Sequence, residues 1–199
     1  MTPTIVYLHG FRSSPASAKA RLLVEAVAAL PAQIRPVLHV PALAGGPLQD
    51  VRATLAWIDA NVAEPQARLT IVGSSLGGFY ATCLAERTGA RAVLINPAIR
   101  PHEDLRPYLG PQVNLYTGET FVVTEAHFEE LRAMAVDRIT RPERYWLMVQ
   151  SGDEQLDYRE AVAFYAGAFQ LVEGGGDHGF QHFETQIAPL LRFAGVRSG

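Results

Sequence analysis

The sequence predicts an α/β fold built on a parallel sheet of about six strands with helices on both faces. Short apolar runs alternate with longer helix-like stretches from one end of the 199-residue chain to the other. This alternation is typical of a parallel sheet that is covered by helices. The chain is 48% hydrophobic and 19% charged, as in globular proteins, and its length suits a single domain over residues 1–199.

Six apolar runs have the length and the β-branched residues that are expected of buried strands. They cover residues 4–8, 37–40, 69–72, 92–95, 145–149 and 169–172. Helices are predicted between and after them, over about 14–30, 48–62, 76–87, 158–167 and 181–193. Ser14 followed by Pro15 is a typical helix start, so the first helix is predicted to begin there.

One stretch interrupts the alternation, a short insertion over residues 97–142 that follows the fourth predicted strand. It contains five prolines and one helical pattern, residues 125–135, with Thr124 as the N-cap. Long excursions between sheet strands are often functional, so we expect this insertion to act as a small lid. The alternative is a surface insertion with a minor core of its own.

Composition excludes several classes of function. The formal net charge is −3, from 17 basic and 20 acidic residues, which gives nucleic-acid binding no electrostatic support. The single cysteine, Cys83, excludes an internal disulfide and permits a reducing compartment. No apolar run is long enough for a secretory signal or a membrane span, so we expect a cytoplasmic protein.

The segment Gly73-Ser74-Ser75-Leu76-Gly77 matches G-x-S-x-G, the nucleophile elbow. A predicted strand leads into it and a predicted helix leaves it, which is the context that the motif requires. Ser75 is therefore predicted to be a catalytic nucleophile above the carboxyl edge of the sheet. Ser74 is out of register with the motif. The structural alternative is a glycine-flanked helix start with Ser75 as its N-cap.

The first predicted strand ends in Leu8-His9-Gly10-Phe11. An H-G-x sequence at this point is what α/β-hydrolases use to place one donor of the oxyanion hole. We therefore expect the backbone N–H of Phe11 to be one donor and that of Leu76 to be the other. The alternative is a β-turn with a buried histidine.

The general base is expected in the loop after the last strand, where α/β-hydrolases carry their histidine. Of the six histidines, only His178 lies there, within the glycine-rich segment 174–180. The orienting acid should follow the penultimate strand, which offers Asp153, Glu154 and Asp157. Asp157 has capping-box spacing to Glu160 and so has a structural task. We therefore favour Asp153, with Glu154 as the weaker substitute.

Several stretches of this chain resemble the small bacterial esterases of the YqiA/YcfP type. They are Tyr7–Phe11 with Ser13-Ser14-Pro15, Gly73–Gly78, Ile95–Ala98, Gly152–Ala161 and Gly175–Phe180. The resemblance spans nearly the whole chain and implies the α/β-hydrolase fold. It also implies that Ser75, Asp153 and His178 take the triad positions. The activity that it implies is hydrolysis of short acyl esters and of acyl-CoA thioesters.

The expected function is that of a serine esterase that cleaves short to medium acyl esters through an acyl-enzyme, with acyl-CoA thioesters as a second substrate class. We expect His9, Gly10, Phe79 and Tyr80 at the substrate, with Tyr108 and Phe121 contributed by the insertion. Arg12, Lys19 and Arg21 are candidate contacts for the CoA phosphates, against the alternative of an ordinary solvated helix face. The alternatives are a hydrolase-fold protein that acts as a protein-binding module, and a peptidase or amidase with the same triad.

Two other motifs are present but lack their proper context. Gly174, Gly176 and Gly179 fit G-x-G-x-x-G, yet no βαβ unit follows them. His178 and His182 have the spacing of two metal ligands on a helix, yet the sequence shows no third ligand. We therefore expect neither a metal nor an organic cofactor.

Overall fold

The computed structural model describes residues 2–196. Its strands are β1 (Thr4–Leu8), β2 (Val37–His39), β3 (Leu69–Ser74), β4 (Arg91–Ile95), β5 (Gly110–Val113), β6 (Thr120–Val123), β7 (Tyr145–Gln150) and β8 (Phe169–Glu173). Its helices are α1 (Ala18–Ala28), α2 (Pro47–Asn61), α3 (Pro65–Arg68), α4 (Leu76–Thr88), α5 (Pro101–Asp104), α6 (Glu125–Met134), α7 (Tyr158–Phe164) and α8 (Glu184–Phe193). Two short 3₁₀ turns cover Arg106–Tyr108 and Pro142–Arg144.

Six strands form one parallel sheet in the order β2-β1-β3-β4-β7-β8, which confirms the predicted fold class. The chain moves outward from β1 to β2 and then returns to β3 on the other side of β1. In open α/β sheets, such a reversal opens a crevice outside the carboxyl ends of the strands. The loops after β1, β3, β7 and β8 all leave the sheet at this edge.

Each face of the sheet carries its own apolar core. Residues of β1 alternate between the two, with Ile5 and Tyr7 in the core under α1 and α8 and with Val6 and Leu8 in the core under α2, α4 and α6. Every residue of β1 and β3 is buried. Strands that are buried on both faces read as continuous apolar runs, which is why the sequence located them.

Three predicted helix boundaries are wrong. Helix α1 begins at Ala18 rather than at Ser14, because the Ser14 hydroxyl accepts the Ala16 N–H at 3.1 Å and closes a turn. Helix α7 ends at Phe164 rather than at residue 167. Gly167 cannot belong to the helix, because its φ of 87° is left-handed. Helix α8 begins at Glu184 rather than at residue 181, because His182 has a positive φ of 60°.

The insertion contains α5, a 3₁₀ turn, the antiparallel hairpin β5–β6 and α6. Helix α6 begins after Thr124, as the sequence predicts. The sequence does not predict this hairpin. Its turn is hydrogen-bonded to the loop that follows β1. The Leu115 N–H donates to the Arg12 carbonyl at 2.9 Å, and the Asn114 side chain donates to the Ser13 carbonyl at 2.8 Å. The insertion is therefore attached to the edge of the sheet where the site lies.

Within residues 2–196, no helix is both long and apolar enough to cross a membrane.

Candidate active site

Ser75 occupies a sharp turn between β3 and α4. Its φ of 56° and ψ of −123° lie outside the usual regions for a residue with a side chain, at a cost of about 1–3 kcal/mol. A Cβ at Gly73 would lie 2.1 Å from the Gly77 carbonyl oxygen, and one at Gly77 would lie 2.1 Å from the Leu8 carbonyl oxygen. Only glycine fits at these two positions. The close packing of β1, β3 and α4 therefore explains why the G-x-S-x-G motif has glycine at both ends.

The side chains of Ser75, His178 and Asp153 form a hydrogen-bonded chain. Ser75 Oγ lies 3.0 Å from His178 Nε2, and His178 Nδ1 lies 2.9 Å from Asp153 Oδ2. A carboxylate only accepts hydrogen bonds, so Nδ1 carries the ring proton and Nε2 accepts from the serine. The Asp153 side chain is 2% exposed and the His178 side chain 15%, so the aspartate end of this chain is shielded from water.

Neighbouring backbone groups fix the orientation of Asp153. Its Oδ1 accepts the N–H groups of Gln155 and Leu156, both at 2.9 Å. Glu154 contacts His178 differently, because its Oε2 accepts the backbone N–H of His178 at 3.0 Å. That hydrogen bond lowers the pKa of Glu154. Glu154 thus holds the main chain of the histidine loop (residues 174–180), whereas Asp153 holds the imidazole ring of His178.

Asp157 is the N-cap of α7, and its Oδ1 accepts the Arg159 N–H at 3.0 Å. The expected capping box is only half formed, because the Glu160 side chain bonds to Arg100 instead. Asp157 therefore has the structural task that its spacing predicts.

Three polar side chains hold the histidine loop: Asn96 and Gln150, to which the sequence assigns no role, and Lys19, a candidate phosphate contact. Asn96 donates to the carbonyls of Asp177 and His178 at 3.0 and 3.1 Å. Gln150 Oε1 accepts the N–H groups of Asp177 and Gln181. Lys19 Nζ donates to the Gly179 carbonyl at 2.7 Å. Asn96 and Gln150 are polar groups at the ends of the apolar β4 and β7 runs, which is a signal that the sequence does contain.

The loop after β1 lies directly against the serine. A Cβ at Gly10 would be 3.1 Å from Ser75 Cβ and 3.6 Å from Ser75 Oγ, so the main chain passes very close to the Ser75 hydroxyl. His9 accepts the Leu43 N–H at Nε2 (3.2 Å), so its Nδ1 carries the proton and donates to the Gly10 carbonyl (3.0 Å). Burial lowers the pKa of His9, which favours this neutral form.

A cavity of about 500 Å³ opens beside the serine and is bordered by Gly10, Phe11 and Leu76. The Phe11 ring makes edge-to-face contacts with the rings of Tyr108 and Phe121, with 5.4 and 5.7 Å between the ring centroids. Most of the other lining residues come from the 43–47 loop, from α2, α4 and α6, and from the β5–β6 hairpin.

The expected substrate contacts separate into two groups. His9, Gly10 and Tyr80 border the cavity, and so does Phe121. Phe79 does not: it is 5% exposed and packs beside Thr82 and Cys83, next to a separate small cavity of about 10 Å³. In an α-helix, residues 79 and 80 point about 100° apart, which is why only one of them faces the cavity.

The three candidate phosphate contacts are also separated. Arg12 borders the cavity, but its Nε donates to the Val113 carbonyl at 3.0 Å. The Lys19 ammonium group donates to the Gly179 carbonyl. Desolvation lowers the pKa of Lys19, and the negative charges of Asp177 and Asp153 only partly offset that shift. Arg21 is exposed on α1. The structure thus brings no cluster of open cations together at these three positions.

The fold defined by this sheet and turn is shared with solved α/β-hydrolase structures. A putative hydrolase from Agrobacterium vitis superposes with a TM-score of 0.72 at 22% identity, over 98% of this chain and 88% of that one. Mouse alpha/beta hydrolase domain-containing protein 10 has a TM-score of 0.68 at 16% identity, with 96% and 90% covered. Est1E from Butyrivibrio proteoclasticus has a TM-score of 0.67 at 15% identity, with 98% and 89% covered.

The chain itself belongs to the family described as "Uncharacterised protein family (UPF0227)", whose model matches residues 4–195. This match confirms the resemblance to the YqiA/YcfP type that the sequence motifs indicated.

Proposed function

We propose that this protein is a serine esterase in which Ser75 is the nucleophile, His178 the general base and Asp153 the orienting acid. The observation that carries the proposal is the Ser75–His178–Asp153 hydrogen-bonded chain at the strained turn, with contacts of 3.0 and 2.9 Å. These are the distances that proton transfer to a base and orientation of that base require.

Acylation begins when His178 Nε2 takes the Ser75 proton as Oγ attacks the acyl carbonyl. The carbonyl oxygen becomes an oxyanion, and the backbone N–H groups of Phe11 and Leu76 stabilise it. Leu76 is the first residue of α4, so the helix dipole adds to this stabilisation. Asp153 holds the Nδ1 tautomer and stabilises the imidazolium, which then gives its proton to the leaving alcohol.

Deacylation repeats the same steps with water. His178 removes a proton from the water molecule, the resulting hydroxide attacks the Ser75 ester, and the carboxylic acid leaves as Oγ recovers its proton. Each turnover therefore consumes one ester and one water and returns the enzyme unchanged.

The substrate class that the cavity supports is a short to medium acyl ester. Its walls include Phe11, Leu43, Leu76, Phe121 and Leu131, and burial of each CH₂ group contributes about 0.8 kcal/mol. Acyl-CoA thioesters are the second class, because the same triad and acyl-enzyme serve a thiol leaving group. In this proposal the insertion over residues 97–142 is the lid of the cavity, since its hairpin and α6 supply part of the lining.

The test compares hydrolysis of p-nitrophenyl esters and acyl-CoA thioesters of increasing chain length by the wild type, Ser75→Ala and Ser74→Ala. Ser74 is the matched control, since it is the adjacent serine, buried in β3. We expect the wild type and Ser74→Ala to hydrolyse the shorter esters and Ser75→Ala to lose more than about 10³-fold in rate. Activity on peptides with none on esters would assign an amidase instead. No turnover and no reaction with a fluorophosphonate would favour a binding module.

A further inference from the structure

The cavity beside Ser75 has apolar walls, polar side chains on the side of the β5–β6 hairpin such as Arg12 and Glu119, and a polar end between helices. Three helices contribute to this end: Asp50 comes from α2, Tyr80 from α4 and His127 from α6. Of these three residues, the sequence predicts only Tyr80 at the substrate. A simple alkyl chain offers none of these three groups a hydrogen-bond partner, so covering them with such a chain is unfavourable.

Asp50 supplies a hydrogen-bond acceptor. The residue is 9% exposed, and its Oδ1 accepts the Gly45 N–H at 2.9 Å. Burial raises the pKa of Asp50 to about 6, so the carboxylate is the main form at neutral pH. A carboxylate has about four acceptor sites, and the Gly45 and Ala44 backbone groups occupy only some of them. Acceptor capacity therefore remains for a ligand.

Tyr80 and His127 supply donors. Burial first, and then the charge of Asp50, hold the pKa of Tyr80 well above its usual range, so Tyr80 stays a neutral phenol close to that carboxylate. His127 Nδ1 accepts the Thr124 N–H at 3.3 Å, so the neutral ring carries its proton on Nε2. A Cβ at Gly46 would lie 3.2 Å from that Nε2, so His127 borders the same glycine turn that Asp50 binds.

The polar end lies within reach of an acyl group on Ser75. Tyr80 follows Ser75 by five residues, which corresponds to about 7.5 Å of rise along α4. It also lies one turn beyond Leu76 on the same side of the helix, and both residues border the cavity. An acyl chain that passes Leu76 therefore points its far end toward Tyr80.

We propose that the natural acyl group carries a hydroxyl group, which binds between Asp50, Tyr80 and His127. This inference rests on the proposed esterase function and narrows its substrate class. A hydroxyl group can donate to the Asp50 carboxylate and at the same time accept from the Tyr80 hydroxyl or from His127 Nε2–H. An ammonium group has no lone pair with which to accept, and a carboxylate would be repelled by Asp50.

The experiment compares kcat/KM for p-nitrophenyl ω-hydroxyalkanoates and the matching alkanoates from butanoyl to octanoyl. We expect the hydroxylated ester to be preferred by about tenfold at one chain length within the series, where the hydroxyl reaches the polar end. In Asp50→Asn and in Tyr80→Phe, the ratio should fall to about one. Asp59→Asn is the matched control, since it makes the same charge change at an exposed position of α2 and should keep the wild-type ratio.

Calorimetry separates this inference from the esterase proposal, because it needs no turnover. Ser75→Ala protein is titrated with methyl ω-hydroxyalkanoates and with methyl alkanoates, and we expect tighter binding of the former. Equal kcat/KM and equal binding for every pair would overturn the inference and leave the esterase intact. A preference for ω-amino esters would likewise overturn it. Tighter binding of the hydroxylated ester without hydrolysis by the wild type would support the polar end and overturn the esterase.

Discussion

The loops at the carboxyl edge of the sheet and the insertion over residues 97–142 are built in different ways. At the edge, Gly73 and Gly77 touch main-chain oxygens, and Ser75 is held at a positive φ between them. In the insertion, no atom of residues 2–196 beyond the two chain neighbours comes within 4 Å of a Cβ built on Gly118, and Leu115 is 68% exposed. Close main-chain packing thus fixes the proposed reacting groups, whereas the turn of the β5–β6 hairpin has open space around it.

The largest change in activity is expected at one of the two aspartates that follow β7. Asp153→Asn should lower kcat by up to about 10⁴, because the amide no longer fixes the His178 tautomer. Asp157→Asn should cost about 1 kcal/mol or less of unfolding free energy and leave kcat nearly unchanged, since Asp157 caps α7 and pairs with the exposed Arg159. Kinetics and thermal unfolding of both variants provide the check. The opposite pattern would move the acid role to Asp157.

The second prediction compares a glycine from each region. Gly73→Ala should lower the unfolding free energy by about 3 kcal/mol or more, because the new methyl group would overlap the Gly77 carbonyl oxygen at 2.1 Å. Gly118→Ala should cost only about 1 kcal/mol, since its φ is 75° but its surroundings are open. Urea unfolding of the two variants measures both values. Equal losses would contradict the contrast between the regions.

A smaller effect is expected at Lys19, which holds the histidine loop from α1. Lys19→Met should lower kcat about tenfold, because the Gly179 carbonyl loses its donor at 2.7 Å. Lys19→Arg should restore much of the rate, and Arg21→Met serves as the exposed control on the same helix. Wild-type kcat in Lys19→Met would contradict the role of Lys19 in holding the histidine loop.

The sequence predicted the sheet and the meeting of Ser75, His178 and Asp153 because each rests on a local signal. Buried parallel strands are apolar throughout, and the elbow and the histidine loop both require glycines. The hairpin escaped prediction because β5 contains Gly110 and Pro111, which are depleted in strands. Helix α1 begins later than predicted because Ser14 and Ser17 are both plausible caps, and Ser14 closes a turn with Ala16 instead.

The polar end of the cavity could not be predicted for a different reason. Asp50 lies in the first turn of α2, where an acidic residue is ordinarily explained by the helix dipole. His127 is three residues after Thr124, where it completes a capping box. Each residue has a sufficient local explanation in the sequence. Only the packing of α2, α4 and α6 brings them to one cavity.

The most direct test of the account is to map the residue that a fluorophosphonate modifies, by peptide mass spectrometry on the wild type, Ser75→Ala and Ser74→Ala. The account predicts a single adduct on Ser75 in the wild type and in Ser74→Ala, with loss of ester hydrolysis as the adduct accumulates. It predicts no adduct in Ser75→Ala protein that keeps the wild-type thermal midpoint to within a few degrees. Wild-type turnover in a folded Ser75→Ala variant, or an adduct on Ser74, would contradict it.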